Sequence, residues 1–124
     1  MIADFKHDEF SCSCCWKNFI DLGIVHRLQV LRDILQVPII VTSGYRCERH
    51  NREIGGTPNS MHLKGWAVDW TCSKIEEAAK LCENWSGGFH YYPEKRFIHT
   101  DIGPRRRWAW PTNVFSIRRG TSTN

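Results

Sequence analysis

A chain of 124 residues is long enough for one domain with one hydrophobic core and too short for a second core. Its composition, 41% hydrophobic and 24% charged with six tryptophans, excludes a disordered chain. The positive excess behind the net charge of +4 is concentrated in two short arginine runs, 105–107 and 118–119, which are typical of a solvated edge, so no nucleic-acid partner is expected.

The first ten residues carry scattered charges where a signal peptide needs an unbroken apolar stretch. No apolar run approaches the roughly 18 to 20 residues that cross a bilayer. We therefore predict one monomeric domain over residues 1–124, with its core between about residues 10 and 110 and a frayed C-terminal tail. We expect it to be synthesised in the cytoplasm without a signal peptide, to have no membrane partner, and to reach an external target only after release by another route.

The first half of the chain predicts a helix, a strand and a short helix. Apolar residues at helical spacing between Asp21 and Leu35 indicate the clearest helix, which Pro38 ends. The β-branched run from Ile39 to Ser43 predicts a buried strand. After a turn, a short helix is expected from Glu48 to Ile54, where two glycines stop it.

The second half predicts a strand, a helix and two further strands. Trp66 to Thr71 is the first strand, in which Ala67, Asp69 and Thr71 share one face. Ser73 followed by Glu76 is typical of a capping box and predicts a helix through about Trp85, with Ala78, Ala79, Leu81 and Cys82 as packing residues.

The last two strands are expected at Gly88 to Tyr92 and at Arg96 to Ile102. His99 and Asp101 alternate with apolar residues and therefore point to the same face of the final strand. Together these elements predict an α+β fold with a small, mainly antiparallel sheet flanked by two or three helices.

Six cysteines are many for a cytoplasmic chain, and Cys12, Cys14 and Cys15 are crowded together. Three interpretations stay open. Reduced thiols packed as small apolar residues suit the cytoplasm. A disulfide from this cluster to Cys47 suits an enzyme that ends outside the cell. A structural metal site is the third, although the cluster lacks the paired C-x-x-C spacing that is typical of structural zinc.

The polar residues that fall on or beside predicted strands are His62, Asp69, His99 and Asp101, with Arg46 and Ser60 nearby in the sequence. Two imidazoles and a carboxylate are the ligand set of a catalytic zinc, which keeps a fourth position for water. Gly65 lets the chain bend between a histidine in a loop and an aspartate in a strand, so both side chains can converge. The structural alternative is a turn histidine and a hydrogen-bonded strand aspartate.

The run "SGYRCERHNREIGGTPNSMHLKGWAVDW" resembles the zinc peptidases that cut the D-amino-acid-containing peptides of bacterial cell walls. This is the D-Ala-D-Ala carboxypeptidase and phage endolysin family, peptidase M15, whose fold is shared with the Hedgehog signalling domain. Its signature S-x-H-x-x-G-x-A-x-D is matched by Ser60, His62, Gly65, Ala67 and Asp69. Downstream, "FIHTDIGPRRRW" resembles the F-x-H-x-D-x-G segment of the family, and the resemblance extends from about residue 10 to residue 110.

The resemblance implies that His62, Asp69 and His99 bind Zn2+. It also implies that Arg46 binds the carboxylate of the substrate or steadies the developing oxyanion, with a surface salt bridge as the alternative. Ser60 would hydrogen-bond the substrate backbone, with a turn or cap hydroxyl as the alternative.

The general base departs from the family pattern. The position three residues before the last ligand, acidic in several branches, is Arg96, and the position two residues before it, a histidine in others, is Phe97. Asp101 and Glu94 are the remaining candidates for taking a proton from water. Asp101 is equally suited to orienting a metal-bound imidazole. His90 stands where the family usually has a small residue, and no role is assigned to it.

The expected function is hydrolysis of a peptide bond in peptidoglycan, of the D-Ala-D-Ala carboxypeptidase or endopeptidase type, by a phage or prophage lysin or a virion-associated enzyme acting on the cell wall. The alternative is a zinc-containing binding or structural module of the same fold that has lost hydrolysis, which the arginine at position 96 supports.

Overall fold

The computed structural model describes residues 4–108. Within this range three α-helices accompany one five-stranded sheet, which confirms the α+β class. No helix in the described range has the length and apolar content needed to cross a membrane. Short 3-10 turns cover His7–Phe10, Met61–Lys64 and Cys82–Asn84. The helices are α1 (Leu22–Leu35), α2 (Glu48–Glu53) and α3 (Ile75–Leu81), and the strands are β1 (Ile40–Ser43), β2 (Ala67–Thr71), β3 (Gly88–Tyr92), β4 (Phe97–Asp101) and β5 (Arg106–Arg107).

The sheet has the strand order β1-β2-β4-β3-β5. Neighbouring strands among the first four are antiparallel, and β5 pairs in parallel with β3. The mainly antiparallel sheet is thus confirmed. The sequence pattern missed β5, because two arginines in a charged run offer no apolar alternation from which a strand can be recognised. The first strand is less buried than expected, since β1 lies at an edge and Ile40 is 58% exposed.

The helix α1 begins and ends as its sequence predicts. Asp21 is the N-cap, and its Oδ1 accepts a hydrogen bond from the backbone N–H of Gly23 at 2.7 Å. Gln36 ends the helix in the left-handed conformation, shortly before Pro38. The buried face of the helix consists of Ile24, Val25, Leu28, Leu31 and Leu35.

The core lies between this helical face and one face of the sheet. Val68 and Trp70 of β2 and Ile98 of β4 are fully buried in the same apolar cluster as the α1 residues. Because side chains alternate along a strand, Asp69 points to the opposite face of β2. The hydrophobic core therefore supports, from behind, the strand that carries the polar residues.

The capping box predicted for the third helix is wrong. Lys74 is the N-cap of α3, and it makes no side-chain capping bond, because its ammonium group cannot accept from the N–H groups of the first turn. The ammonium group donates to the carbonyl oxygen of Leu35 at 3.0 Å. Leu81 is 40% exposed rather than packed. The helix tightens into the 3-10 turn Cys82–Asn84 before Trp85, so the predicted end is close to the observed one.

All six cysteines are free thiols. Cys72 and Cys82 are buried in the core, and burial raises the pKa of both thiols, to about 12 for Cys82. These two residues fit the interpretation of reduced, apolar core thiols. The other four cysteines lie close together at the N-terminal side of the fold, away from this part of the core.

Candidate active site

His62, Asp69 and His99 converge on one point. Their candidate ligand atoms all lie within 4.8 Å of one another. The Nε2 atom of His62 is 3.2 Å from Oδ1 of Asp69, and Nδ1 of His99 is 2.8 Å from the same oxygen. Asp69 and His99 face each other directly across the β2–β4 pair, while His62 reaches them from the 3-10 turn Met61–Lys64.

Two residues of the signature shape the turn that delivers His62. Ser60 is its N-cap, and the Ser60 hydroxyl oxygen accepts from the backbone N–H of His62 at 3.1 Å. Gly65 ends the turn with φ of 74°, in the left-handed region that favours glycine. A Cβ atom at this position would also collide with the backbone carbonyl of Phe19. Both the backbone conformation and the close packing therefore require the glycine at this position of the signature.

Each imidazole is oriented by a hydrogen bond on its far side. Nδ1 of His62 donates to the carbonyl oxygen of Gly44 at 2.7 Å. In a neutral ring, the lone pair of Nε2 then faces a carboxylate oxygen of Asp69. A cation bound between the two atoms would relieve the repulsion between them. Nε2 of His99 donates to Oδ2 of Asp101 at 2.8 Å. Carbonyl and carboxylate partners of this kind are typical of metal-binding histidines.

The charges of the site are strongly coupled. Burial would raise the pKa of Asp69, but His62 and His99 hold it well below its usual range. Burial would likewise lower the pKa of His99, but hydrogen bonds from its ring to Asp101 and Asp69 raise it to about 8. A proton on His99 and a bound cation would therefore stabilise the Asp69 carboxylate in the same way, so the two would compete for the ring.

Asp101 is completely buried, and its carboxylate is surrounded by donors. Besides His99, its oxygens accept from the backbone N–H groups of Gly88 at 2.9 Å and Gly103 at 3.0 Å, and from Arg106 at 2.8 Å. Burial alone would raise its pKa, but His99 and these partners lower it. Gly88 is required here, since a Cβ atom would run into the carboxylate.

Arg46 is held by three partners. Its Nη2 is 3.2 Å from Oδ2 of Asp69, and its other guanidinium nitrogens donate to Ser43 and to Asn51, both at 3.1 Å. The side chain is only 11% exposed, so the contact with Asp69 is a buried ion pair and not the surface salt bridge considered as an alternative. Asn51, which the sequence did not single out, is itself fixed through the carbonyl oxygen of Thr57.

A cavity of about 750 Å³ opens above these residues. Its walls bring together most of the predicted site residues, namely Arg46, Ser60, His62, Asp69 and His99. Glu94 is exposed in the turn between β3 and β4 and does not belong to the cavity wall in the described range. Sequence reasoning missed several wall residues whose only signal was proximity to the recognised segments: Tyr92, Lys95, Phe97, Arg106 and Trp108.

His90 lies directly opposite His99 across the β3–β4 pair. Its ring stacks on Trp108 with centroids 5.2 Å apart and meets the edge of Tyr92 at 4.4 Å. Burial lowers its pKa, and its Nε2 has no hydrogen-bond partner within residues 4–108. His90 is thus part of an aromatic stack beside the cavity.

An α+β chain that directs two imidazoles and a carboxylate into an open cavity has the donor arrangement of a metal-dependent hydrolase. Residues 3–101 match the peptidase M15 family, and the chain belongs to that family. The resemblance recognised in the signature is confirmed.

Two curated relatives are similar to most of this chain. It is 36% identical over 101 residues to the peptidoglycan L,D-endopeptidase MepK of Escherichia coli K12, an alignment that covers 72% of this chain and 54% of the relative. It is 33% identical over 93 residues to the probable peptidoglycan L,D-endopeptidase MepK of Haemophilus influenzae, covering 67% of this chain and 49% of the relative. The chain spans about half the length of these relatives.

Proposed function

We propose that this protein is a zinc-dependent peptidase that hydrolyses a peptide bond in bacterial peptidoglycan. The convergence of His62, Asp69 and His99 at the base of an open cavity carries the proposal, because it occurs in a chain of the peptidase M15 family. Relatives named as L,D-endopeptidases favour an internal L,D bond over a terminal D-Ala.

The donor set fits zinc. Nε2 of His62, Nδ1 of His99 and Oδ1 of Asp69 face one another, while Arg46 occupies the second oxygen of Asp69. Imidazole nitrogen and carboxylate oxygen with an open side are typical of catalytic zinc. When bound, zinc would supply a Lewis acid that polarises the scissile carbonyl and lowers the pKa of water.

Arg46 and Ser60 are the proposed substrate contacts. Arg46 has five N–H groups, of which its buried partners use three, so donors remain for a substrate oxygen in the cavity. The Ser60 hydroxyl accepts from His62 and still has its own hydrogen to donate to a peptide carbonyl. Both residues thereby combine a structural hydrogen bond with a place on the cavity wall.

Asp101 is proposed as the positioning residue of His99. Its oxygens are already occupied by donors, and a carboxylate whose pKa is lowered is a weak base. Glu94 is the other acidic candidate, and a contact between Glu94 and substrate requires movement of the turn between β3 and β4. Loss of hydrolysis in the variant Glu94→Gln would indicate that Glu94 takes the proton from water.

The positions of these two acidic residues favour one alternative function. With Asp101 engaged and Glu94 outside the cavity wall, the described part of the site lacks an unengaged acid beside the proposed metal ligands. A zinc-containing binding module that holds peptidoglycan without cutting it would have the same appearance. Hydrolysis by the purified protein separates the two functions.

The decisive experiment incubates defined muropeptides with the zinc-loaded wild-type protein and with Asp69→Ala. Mass analysis of the released peptides identifies the bond that is cut. We expect release by the wild type and a loss of at least about a hundredfold in Asp69→Ala. Zinc binding without release from several wall chemotypes would favour the binding module instead.

We also propose that the protein acts on the cell wall as a monomer after release by phage-type lysis or with a virion. Adding the protein to cells with a permeabilised envelope tests whether it attacks the wall from outside. If only expression inside the cell together with a membrane-permeabilising partner causes lysis, the protein acts from within. No effect by either route would contradict this placement.

A further inference from the structure

A second cluster of candidate metal ligands, all cysteines, lies outside the cavity. The sulfur atoms of Cys12, Cys14 and Cys47 all lie within 4.8 Å of one another. The Sγ atoms of Cys14 and Cys47 are 3.7 Å apart. The thiol of Cys15 interacts with those of Cys12 and Cys47 from the same loop. Three sulfurs therefore converge where the N-terminal segment meets the residues that follow β1, and Cys15 lies beside Cys12 and Cys47 as the fourth candidate ligand.

The distance between two of the sulfurs is compatible with two ligands of a tetrahedral metal. A Zn–S bond of about 2.3 Å gives an edge of about 3.8 Å between two sulfurs of a tetrahedron. The distance of 3.7 Å between Cys14 and Cys47 is close to that edge. A disulfide would need the two sulfurs to approach to about 2.05 Å. All four thiols are free.

The backbone between Cys12 and Lys17 is folded so that the sulfurs point inward together. The N–H of Trp16 donates to the carbonyl oxygen of Cys12 at 2.8 Å, and the N–H of Cys12 donates to that of Lys17 at 2.9 Å. Trp16 turns the chain with φ of 65°, a conformation that is uncommon for a large side chain. This closed loop brings three cysteines that are neighbours in sequence to one side of Cys47.

The sulfurs also receive hydrogen bonds of the kind that stabilise thiolates. The backbone N–H of Cys47 donates to Sγ of Cys12, and that of His50 donates to Sγ of Cys47, both at 3.4 Å. The guanidinium of Arg49 donates to Sγ of Cys14 at 3.1 Å. Thiolate is the form that binds metals.

We propose that Cys12, Cys14, Cys15 and Cys47 bind a zinc ion with a structural role, separate from the metal of the cavity. A closed shell of sulfurs is typical of structural zinc, whereas the cavity offers nitrogen and oxygen ligands with one open side. The two sites therefore differ in ligand chemistry as well as in position.

The proposed zinc would fasten the loop that carries Arg46. Cys47 follows Arg46 directly, and the N–H groups of Tyr45 and Arg46 donate to the carbonyl oxygens of Phe10 and His62 at 2.9 and 3.1 Å. A metal that joins residues 12–15 to Cys47 thus closes a loop of about 30 residues around this contact. Loss of the zinc would loosen this loop and with it the guanidinium of Arg46, which forms the ion pair with Asp69.

Metal counting tests the proposal. The wild-type protein, purified under reducing conditions without chelator, is expected to contain about two equivalents of zinc. Cys14→Ser and Cys47→Ser should each contain about one equivalent, and so should His62→Ala. Cys72→Ala, which changes a core thiol away from the cluster, is the matched control and should keep both. Zinc that is lost in His62→Ala but unchanged in both cluster variants would overturn the proposal.

A second measurement uses the unmodified protein, so it does not depend on the folding of a variant. Cys14 and Cys15 are partly exposed and should nevertheless resist alkylation in the zinc-loaded protein. Adding a chelator should expose them, and peptide mass mapping locates the label. Immediate labelling in the zinc-loaded protein, or protection that only a reductant removes, would contradict the proposal.

Cobalt substitution separates this inference from the proposed function. Sulfur ligands give Co2+ an intense charge-transfer absorption in the near ultraviolet that nitrogen and oxygen ligands do not give. The absorption should disappear in Cys47→Ser and persist in His62→Ala. It therefore reports the cysteine site even if the protein hydrolyses no muropeptide.

Discussion

The Nε2 atom of His99 lies 2.8 Å from Oδ2 of Asp101, so the imidazole that faces Asp69 through Nδ1 is held from behind by a fully buried carboxylate. Replacing Asp101 with Asn would keep the shape but remove the charge and turn an amide donor toward other donors. Removing such a partner typically weakens metal affinity about 10- to 100-fold. We expect this loss in a competitive titration with a chromophoric chelator.

Glu94→Gln is the control for that measurement, because Glu94 is exposed and outside the cavity wall. It should leave zinc affinity unchanged. If Asp101→Asn binds zinc normally and loses only hydrolysis, Asp101 moves a proton and does not position His99.

Zinc affinity at the histidine and aspartate site should depend on pH. Burial would lower the pKa of His99, but Asp101 and Asp69 raise it to about 8. The metal must therefore displace a proton at neutral pH, and affinity should rise about tenfold per pH unit up to about pH 8 and then level off. The titration is best done in Cys14→Ser/Cys47→Ser, so that thiols do not contribute. A flat profile between about pH 6 and 8 would contradict the assignment.

The free energy of unfolding of the metal-free protein should decrease with pH, whereas zinc affinity increases. A raised pKa means that the folded state holds the proton of His99 more tightly than the unfolded state. This contribution is complete below about pH 6.5 and is lost as the pH rises through about 8. Urea unfolding of the same cysteine variant without metal should give a lower midpoint at the upper end of this window. His99→Gln should remove most of the difference.

Arg46→Ala should strongly destabilise the fold. It leaves Oδ2 of Asp69 without its ion-pair partner in a site where both side chains are nearly buried. Removing one member of a buried pair costs about 3 to 5 kcal/mol. Arg52→Ala is the matched control, since the exposed side chain of Arg52 in α2 should contribute little to the free energy of unfolding. Equal unfolding free energies for the two variants would show that Arg46 does not stabilise Asp69.

Gly65→Ala should both destabilise the fold and lower zinc content at the cavity. The left-handed backbone alone costs about 1 to 2 kcal/mol for a residue with a Cβ atom. Gly55 has a similar φ of 77°, but a Cβ atom there would meet no described atom within 4 Å, so Gly55→Ala measures that strain by itself. The collision with the Phe19 carbonyl should add about 1 to 3 kcal/mol in Gly65→Ala. Equal losses would contradict the packing role of Gly65.

The elements that can be predicted from the sequence are those in which local pattern and tertiary packing agree. α1 has helical apolar spacing and a capping aspartate, and its predicted boundaries lie within one residue of the observed ones. The alternation in β2 and β4 predicts the strand face of Asp69 and of His99, whereas the register that places them opposite each other comes from the structure. The capping box predicted at Ser73 is wrong because the N-cap of α3 is Lys74, whose ammonium group has no acceptor for a backbone N–H.

The three proposed metal ligands are accessible from the sequence because the two segments that resemble the family contain them, whereas their supporting partners are not. The carbonyl of Gly44 and the amide of Asn51 support His62 and Arg46 through contacts between segments that sequence distance does not reveal. Arg106 reaches Asp101 from β5, a strand of two residues. The convergence of Cys14 and Cys47 likewise depends on the folded loop rather than on a recognisable spacing.

The composition of the cavity wall has a consequence for how a substrate arrives. Three cationic side chains, Arg46, Lys95 and Arg106, line the cavity, and Asp69 is the one acidic residue among the wall residues described. A divalent metal that displaces a single proton from His99 adds further positive charge at the centre. Peptide stems that carry free carboxylates would then be drawn in by long-range attraction, and their association rate would fall steeply as ionic strength rises.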